Sequence, residues 1–186
     1  MFWTSYLLAM DRVEQARIGA EVAAFPPDRV ASPDDLRNWP RLRNALLEAP
    51  RLYPLPPHIQ RDAEGPDEIG GEPIRRDAQV WISPWVMHRR RKFWDRPTAF
   101  LPDRFACESA PWTRMPAFIP FGMGPRIRIG LAFALSEAQI VLARLFSRYE
   151  IGLVDAWPVL PIGRVTTEPS HEPMFALERR EIRRPA

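Results

Sequence analysis

The residues best suited to chemistry lie in a glycine-rich stretch, residues 121–130, that leads directly into an apolar helical pattern. Its three glycines, which would let the backbone approach a flat ligand closely, are Gly122, Gly124 and Gly130. Because the following helix would direct its positive N-terminus back at the stretch, an anionic group is favoured there. Arg126 could pair with a carboxylate of the same ligand. A G-x-G-x-x-G phosphate loop is disfavoured, since Ile127 occupies the position that needs the third glycine.

Two charged groups precede this stretch. Glu48 and Arg51 lie three residues apart near the end of a predicted helix, so they can pair on one helical face. Arg104 lies between prolines and aromatics within residues 100–105, where it could join a partly buried ion network. A surface pair alone would carry no information, because such pairs are common and contribute little. The order of the three groups along the chain is therefore the informative feature.

Taken together, these residues resemble the cytochrome P450 superfamily. The resemblance assigns Glu48 and Arg51 to the helix before the haem, and Arg104 to the third position of the same ion network. The positions that match the haem loop are Phe121, Gly122, Gly124, Arg126 and Gly130, and those that match the helix behind it are Gly130, Phe133, Ala134 and Glu137. The likeness runs from the first residues to the C-terminus. It implies an α+β, mainly helical fold, namely the C-terminal half of the P450 fold with helices and short β-hairpins.

The resemblance also implies a function. The family consists of haem-dependent monooxygenases, oxidoreductases that insert one oxygen atom from O2 into an apolar small molecule. Arg126 and Arg61 would then bind the haem propionates, although Arg61 could equally be a solvated strand residue. Electrons would come from a ferredoxin or a flavoprotein reductase, docking near the basic cluster of residues 89–92. That cluster could equally be a solvated loop.

One residue departs from the family pattern at the position that matters most. Arg128 occupies the position of the cysteine that binds the haem iron, and a protonated arginine has no lone pair to offer a metal. Cys107 is a weak substitute, since it lies 128 − 107 = 21 residues earlier and outside the loop. The three histidines, which are expected at surface or turn positions, are His58, His88 and His171. The sequence therefore predicts a catalytically defective chain.

Further departures favour a second hypothesis. Pro50 lies within the turn that joins Glu48 to Arg51, and a proline inside a helix costs on the order of 3 kcal/mol. Asp77 falls in a turn where relatives usually have glycine. The family fold is also about twice as long as this chain, which is expected to form one partial domain over residues 1–186 with no second domain. The alternative is a non-catalytic, truncated remnant that acts at most as a binding or interaction module.

Two predicted helices would position these groups. Pro40 begins the first, whose inner face comprises Leu42, Ala45, Leu46 and Ala49. The second follows Gly130, with an apolar stripe of Leu131, Leu135, Ala138, Leu142, Leu145 and Tyr149. A further stripe near the N-terminus comprises Trp3, Tyr6, Leu7, Met10 and Val13. Residues 59–86 have the pattern of short strands, with a turn at Gly70–Gly71 and a strand over 79–82.

Composition excludes several classes of protein. The formal net charge is only +3, from 26 basic and 23 acidic side chains, which argues against a nucleic-acid-binding protein. The single cysteine precludes an internal disulfide and suits a reducing compartment. No apolar run approaches the roughly 18 residues that a membrane span needs. We therefore expect a cytoplasmic protein.

Overall fold

A computed structural model describes residues 1–106, 115–122, 130–154 and 157–180 of the chain. Within these residues the α-helices are α1 (Phe2–Met10), α2 (Arg12–Ala24), α3 (Pro40–Leu52), the short α4 (Pro84–Met87) and α5 (Leu131–Arg148). Single 3-10 segments cover Pro27–Arg29, Pro33–Asn38 and Pro102–Phe105. Both helices predicted to position the charged groups are present, as α3 and α5.

The strands form antiparallel pairs. β1 (Ile59–Asp62) pairs with β4 (Gln79–Ile82), and β2 (Asp67–Ile69) pairs with β3 (Glu72–Ile74). β5 (Tyr149–Leu153) pairs with β8 (Phe175–Arg179), and β6 (Pro161–Gly163) pairs with β7 (Thr167–Pro169). The predicted mixture of helices and small β-hairpins is thereby confirmed.

The turns beside β2 and β4 use left-handed backbone. Gly70 and Gly71 join β2 to β3 with φ angles of 63° and 90°, as the glycine pair predicts. Asp77 also has a φ of 63°, and its backbone N–H donates to the Ala63 carbonyl at 2.8 Å. Aspartate tolerates this region better than most residues, although less well than glycine.

The N-terminal helical stripe was wrong beyond Leu7. The structure places a break at Asp11, whose side chain accepts from the Glu14 backbone N–H and caps α2. Because α1 and α2 are separate helices, the periodicity does not carry across the break. Val13, beyond the break, and Met10, the last residue of α1, are both exposed, at 64% and 65%.

The main core lies where α1, α2, α3 and α5 meet. Its fully buried members are Leu8, Ile18, Val22, Trp39, Leu42, Ala45, Ala143 and Phe146, with Ile151 of β5 almost completely buried. Glu21 of α2 accepts from the backbone N–H groups of Arg41 and Leu42, at 2.8 and 3.1 Å, and so caps the start of α3. Burial nevertheless raises the pKa of Glu21, because these N–H donors offset only part of the desolvation. The cap fixes α3, which carries the charged pair.

Within the described residues, the helices are all too short or too polar to span a lipid bilayer.

Candidate functional site

A completely buried ion pair lies at the end of α3. Glu48 and Arg51 are one helical turn apart, and both side chains have no exposed surface. Arg51 donates from Nε to Glu48 Oε2 at 2.6 Å and from Nη2 to Glu48 Oε1 at 2.8 Å. This two-point geometry fits a guanidinium to a carboxylate and is the strong form of such a pair.

The Arg51 guanidinium also joins α3 to the segment that follows α4. Nη1 donates to the carbonyls of His88 and Pro97, at 2.8 and 2.7 Å, and Nη2 donates to the carbonyl of Ala99 at 3.0 Å. The guanidinium carbon lies 5.1 Å from the centre of the Trp94 ring. A buried arginine needs most of its five donors satisfied, and these carbonyls fulfil that requirement.

Arg104 completes the network from the 3-10 segment Pro102–Phe105. Its Nε lies 3.3 Å from Glu48 Oε1, and its Nη2 donates to the Arg96 carbonyl at 2.7 Å. The backbone N–H of Leu101 donates to the same Glu48 oxygen at 2.9 Å. The structure thus brings Glu48, Arg51 and Arg104 together, with Glu48 as the shared acceptor.

His88, at the end of α4, is buried between this network and residues 115–122. Its Nε2 accepts from the Ile119 backbone N–H at 2.9 Å, and its Nδ1 lies 3.1 Å from the Arg51 carbonyl oxygen. The predicted surface position was therefore wrong for His88, although the residue does lie in a turn, which was the other position predicted for it. Burial lowers the pKa of His88 to about 4, and the nearby positive charges of Arg51 and Arg89 act in the same direction. Sequence patterns gave no signal that distinguishes His88 from the other two histidines.

The other two histidines do lie at the surface. His58 is exposed and its ring centre lies 5.0 Å from that of Trp81. His171 is also exposed, and its Nδ1 lies 3.1 Å from the Ser170 hydroxyl.

An apolar cavity of about 350 Å³ lies beside the first residues of the glycine-rich stretch. Phe121 forms one wall, and α1, α3, α5 and β7 supply the rest, including Trp3, Ala49 and Leu135. Gly122 has a φ of 86°, which glycine adopts without strain, and its N–H donates to the Ile119 carbonyl at 3.2 Å. Gly124, Arg126 and Arg128, and also Cys107, lie outside the described residues.

The sequence of residues 1–170 matches the model of the family described as "Cytochrome P450". The chain belongs to the cytochrome P450 family. It is 31% identical to the protein LUTEIN DEFICIENT 5, chloroplastic, of Arabidopsis thaliana, over 89% of this chain and 28% of that protein. It is 32% identical to the cytokinin hydroxylase of the same plant, over 91% of this chain and 33% of that protein.

A fish relative is similar to the same degree. Cytochrome P450 3A27 of Oncorhynchus mykiss is 30% identical over 83% of this chain and 30% of that protein. The chain therefore spans about a third of the length of the curated relatives it matches.

The remaining P450 motif residues lie at the start of α5. Gly130 precedes the helix with an ordinary φ of −76°, and its carbonyl accepts from the Ala134 N–H at 2.8 Å. Phe133 is 74% exposed, while Ala134 and Glu137 line the cavity. The side chains at this end of α5 are therefore mostly exposed.

Arg61 lies apart from the ion network. It is half-buried on β1, paired with Val80 of β4, and its Nη1 donates to the carbonyl of the adjacent Gln60 at 2.8 Å. Among the described residues, its hydrogen bonding does not extend to Phe121 or Gly122.

The basic cluster at residues 89–92 divides into two parts. Arg89 is half-buried, stacks on Trp85 with its guanidinium carbon 3.4 Å from the ring centre, and donates to the Leu52 carbonyl. Burial, together with the positive charge of Arg51, lowers the pKa of Arg89 to about 10. Residues 90–92 are exposed. Any acidic partner would therefore meet three basic side chains rather than four.

Pro50 is accommodated within α3. The helix continues to Leu52, and the Tyr53 N–H donates to the Ala49 carbonyl at 2.7 Å. Because Pro50 lies in the last turn, its missing N–H affects one helical hydrogen bond near the end of the helix, and the Glu48–Arg51 geometry is retained.

The described residues do not fit a haem held through a thiolate, since the single cysteine, Cys107, lies outside them. P450 proteins bind the haem iron through a cysteine thiolate, and the family resemblance assigns that position of the loop to Arg128. The described lining of the cavity offers neither cysteine nor histidine. Among the described residues, no group of three histidine, cysteine or carboxylate side chains could hold a metal ion.

Proposed function

We propose that this chain retains the haem-side framework of a P450 monooxygenase, the class that inserts one oxygen atom from O2 into an apolar small molecule, but is itself catalytically defective. The observation that carries this proposal is the complete Glu48–Arg51–Arg104 network, in a chain whose sequence has Arg128 where the family resemblance expects the iron ligand.

The preserved network supports the first half of the proposal. A buried ion pair is retained only where its partners and geometry persist, because an unpaired buried charge is strongly destabilising. The relatives include a cytokinin hydroxylase and a carotene epsilon-monooxygenase, which agree with oxygen insertion as the reaction class. The apolar lining of the cavity beside Phe121 also agrees with an apolar substrate.

Electrostatics supports the second half. A thiolate supplies a lone pair and a negative charge to iron, whereas a guanidinium supplies neither and carries a positive charge instead. A guanidinium at this position would therefore offer no bond to an iron ion and would repel it. Residues 90–92 of this chain are basic and exposed. We propose that they correspond to the surface at which a ferredoxin or flavoprotein reductase docks on a P450 protein that has its iron ligand.

The second candidate is a non-catalytic binding or interaction module. It is supported by the same cavity of about 350 Å³, which could admit a small apolar ligand without any metal chemistry.

A haem reconstitution experiment tests the first proposal. The chain is mixed with haemin, reduced, and examined by its carbon monoxide difference spectrum. We expect no thiolate-type band from the natural chain, and a thiolate-type band from Arg128→Cys. The matched control is Arg126→Cys, which adds a cysteine to the same stretch at a position where the family has no ligand.

Each outcome bears on one half of the proposal. A thiolate-type band from the natural chain would show that Arg128 does not disable haem ligation. Absence of haem uptake by folded Arg128→Cys would show that the haem-side framework is not retained. Equal bands from Arg128→Cys and Arg126→Cys would show that position 128 is not the specific position of the iron ligand.

A further inference from the structure

The buried His88 ring lies between two parts of the chain that are far apart in the sequence. On one side its Nδ1 lies 3.1 Å from the carbonyl oxygen of Arg51, at the end of α3. On the other side its Nε2 accepts from the Ile119 N–H at 2.9 Å, two residues before Phe121. Its ring centre also lies 5.5 Å from that of Phe118. The His88 side chain thus forms hydrogen bonds both to the backbone of Arg51 and to the approach to the glycine-rich stretch.

The hydrogen bonds fix the tautomer of this ring. A backbone N–H can only donate, so Nε2 must carry the lone pair that accepts from Ile119. The proton of the neutral ring is then on Nδ1, where it donates to the Arg51 carbonyl. Both ring nitrogens are therefore used, one as a donor and one as an acceptor, and a protonated ring could not accept from Ile119.

The backbone on either side reinforces the same connection. The Arg51 guanidinium donates to the His88 carbonyl at 2.8 Å, so Arg51 and His88 contact each other twice. From Ile119 the chain turns tightly, since the Gly122 N–H donates back to the Ile119 carbonyl. The position of Ile119 therefore determines where Phe121 meets the cavity.

We propose that His88 is a positioning residue, which holds Ile119, and through it Phe121, in register with the buried Glu48–Arg51 pair. This role goes beyond the proposed function, because it concerns the placement of residues 119–122 whether or not the chain binds haem. The imidazole is suited to it because it spans the gap between two backbone groups with one donor and one acceptor on a rigid ring.

Amide hydrogen exchange of Ile119, followed by nuclear magnetic resonance on the full chain, tests the proposal. His88→Phe keeps an aromatic ring but removes both nitrogens, and we expect the Ile119 amide to exchange about tenfold faster or more. His88→Gln restores one acceptor and one donor, so it is expected to return the Ile119 rate close to that of the natural chain. The internal reference is the Ile151 amide, which donates to Gln15 in the main core.

The reference amide separates positioning from general stability. Equal acceleration at Ile119 and Ile151 in His88→Phe would mean that His88 contributes only to global stability, and would overturn the proposal. So would an unchanged Ile119 rate, or a His88→Gln variant that exchanges as fast as His88→Phe.

The natural chain provides a test that needs no variant to fold. In a sample with labelled histidine, we expect a neutral ring protonated at Nδ1 and a through-hydrogen-bond coupling between the Ile119 amide nitrogen and His88 Nε2. A ring protonated at Nε2 would overturn the proposal, because that nitrogen could not then accept from Ile119.

Discussion

Glu48 Oε1 accepts from three donors at once: Arg51 Nη2 at 2.8 Å, the Leu101 backbone N–H at 2.9 Å and Arg104 Nε at 3.3 Å. Glu48 and Arg104 are 56 residues apart in the chain, yet one carboxylate oxygen serves both arginines of the network. We therefore expect the contribution of this network to the free energy of unfolding to depend mainly on the Glu48 carboxylate.

Replacing Glu48 tests that dependence. Glu48→Gln keeps the shape of the side chain but leaves Arg51 buried without its counter-charge. Because breaking a buried pair from one side leaves an uncompensated charge, we expect a loss of about 3–5 kcal/mol in the free energy of unfolding, measured by urea denaturation. The control is Asp34→Asn, which removes the exposed Asp34–Arg37 pair and should cause no measurable change. A loss below about 1 kcal/mol for Glu48→Gln would contradict the central role of the carboxylate.

The stability of the chain should depend on pH through His88. Its pKa is about 4 in the folded chain and 6.5 as the ordinary value, so the unfolded chain binds the proton first. The contribution of the neutral ring is therefore fully present above pH 6.5 and is lost as pH falls toward 4. Between these limits we expect the free energy of unfolding to fall by about 1.4 kcal/mol per pH unit.

Burial of the ring sets the sign of this dependence, and the groups around the ring modify it. Arg51 and Arg89 both face His88 with positive charge, and the Arg51 carbonyl is the acceptor that partly favours protonation. The measurement is urea denaturation from pH 4.5 to 7.5 for the natural chain and for His88→Gln. Subtracting the two curves of unfolding free energy against pH removes the contribution of the carboxylates that both proteins share. A difference curve that does not vary with pH would refute the prediction.

The side chain of Gln15, on α2, links the backbone of α1 to the backbone of β5. Its Nε2 donates to the carbonyls of Leu8 and Ile151, at 2.8 and 2.9 Å, and its Oε1 accepts from the Ile151 N–H at 2.8 Å. Gln15→Leu would leave these buried backbone groups unpaired, so we expect a loss of at least about 2 kcal/mol in the free energy of unfolding. Gln79→Leu, at an exposed position on β4, is the matched control and should be near neutral. Similar thermal midpoints for the two variants would count against the interpretation.

Gly19 gives space to the guanidinium of Arg180. A Cβ at position 19 would lie 2.5 Å from the Arg180 guanidinium carbon. The same guanidinium pairs with Glu150 through Nη1 at 3.2 Å. An alanine in a helix interior otherwise stabilises by about 1 kcal/mol relative to glycine. We therefore expect Gly19→Ala to stabilise the chain in an Arg180→Ala background but not in the natural chain. Thermal unfolding of the four proteins of this cycle measures the difference, and equal effects in both backgrounds would show that Arg180 does not constrain position 19.

Local patterns in the sequence predicted several elements well. The proline at position 40 and the apolar spacing after it predicted α3, and the strand pattern of residues 79–82 predicted β4. The spacing of Glu48 and Arg51 was informative because residues one turn apart on a helix face the same way. The stripe across Asp11 was wrong, since a capping side chain ended one helix and began another there.

Residue types alone established the family markers and the chemistry of position 128, because an arginine lacks a lone pair in any fold. Only the tertiary structure decided that one Glu48 oxygen accepts from both Arg51 and Arg104, that His88 is buried beside Arg51, and that Arg89 stacks on Trp85 rather than facing solvent. Some of these features are contacts between residues on different elements. The others depend on how far the neighbouring elements bury a side chain. Spacing along the chain reports on contacts within a helical turn or a strand, whereas burial and long-range pairing depend on how the separate elements pack.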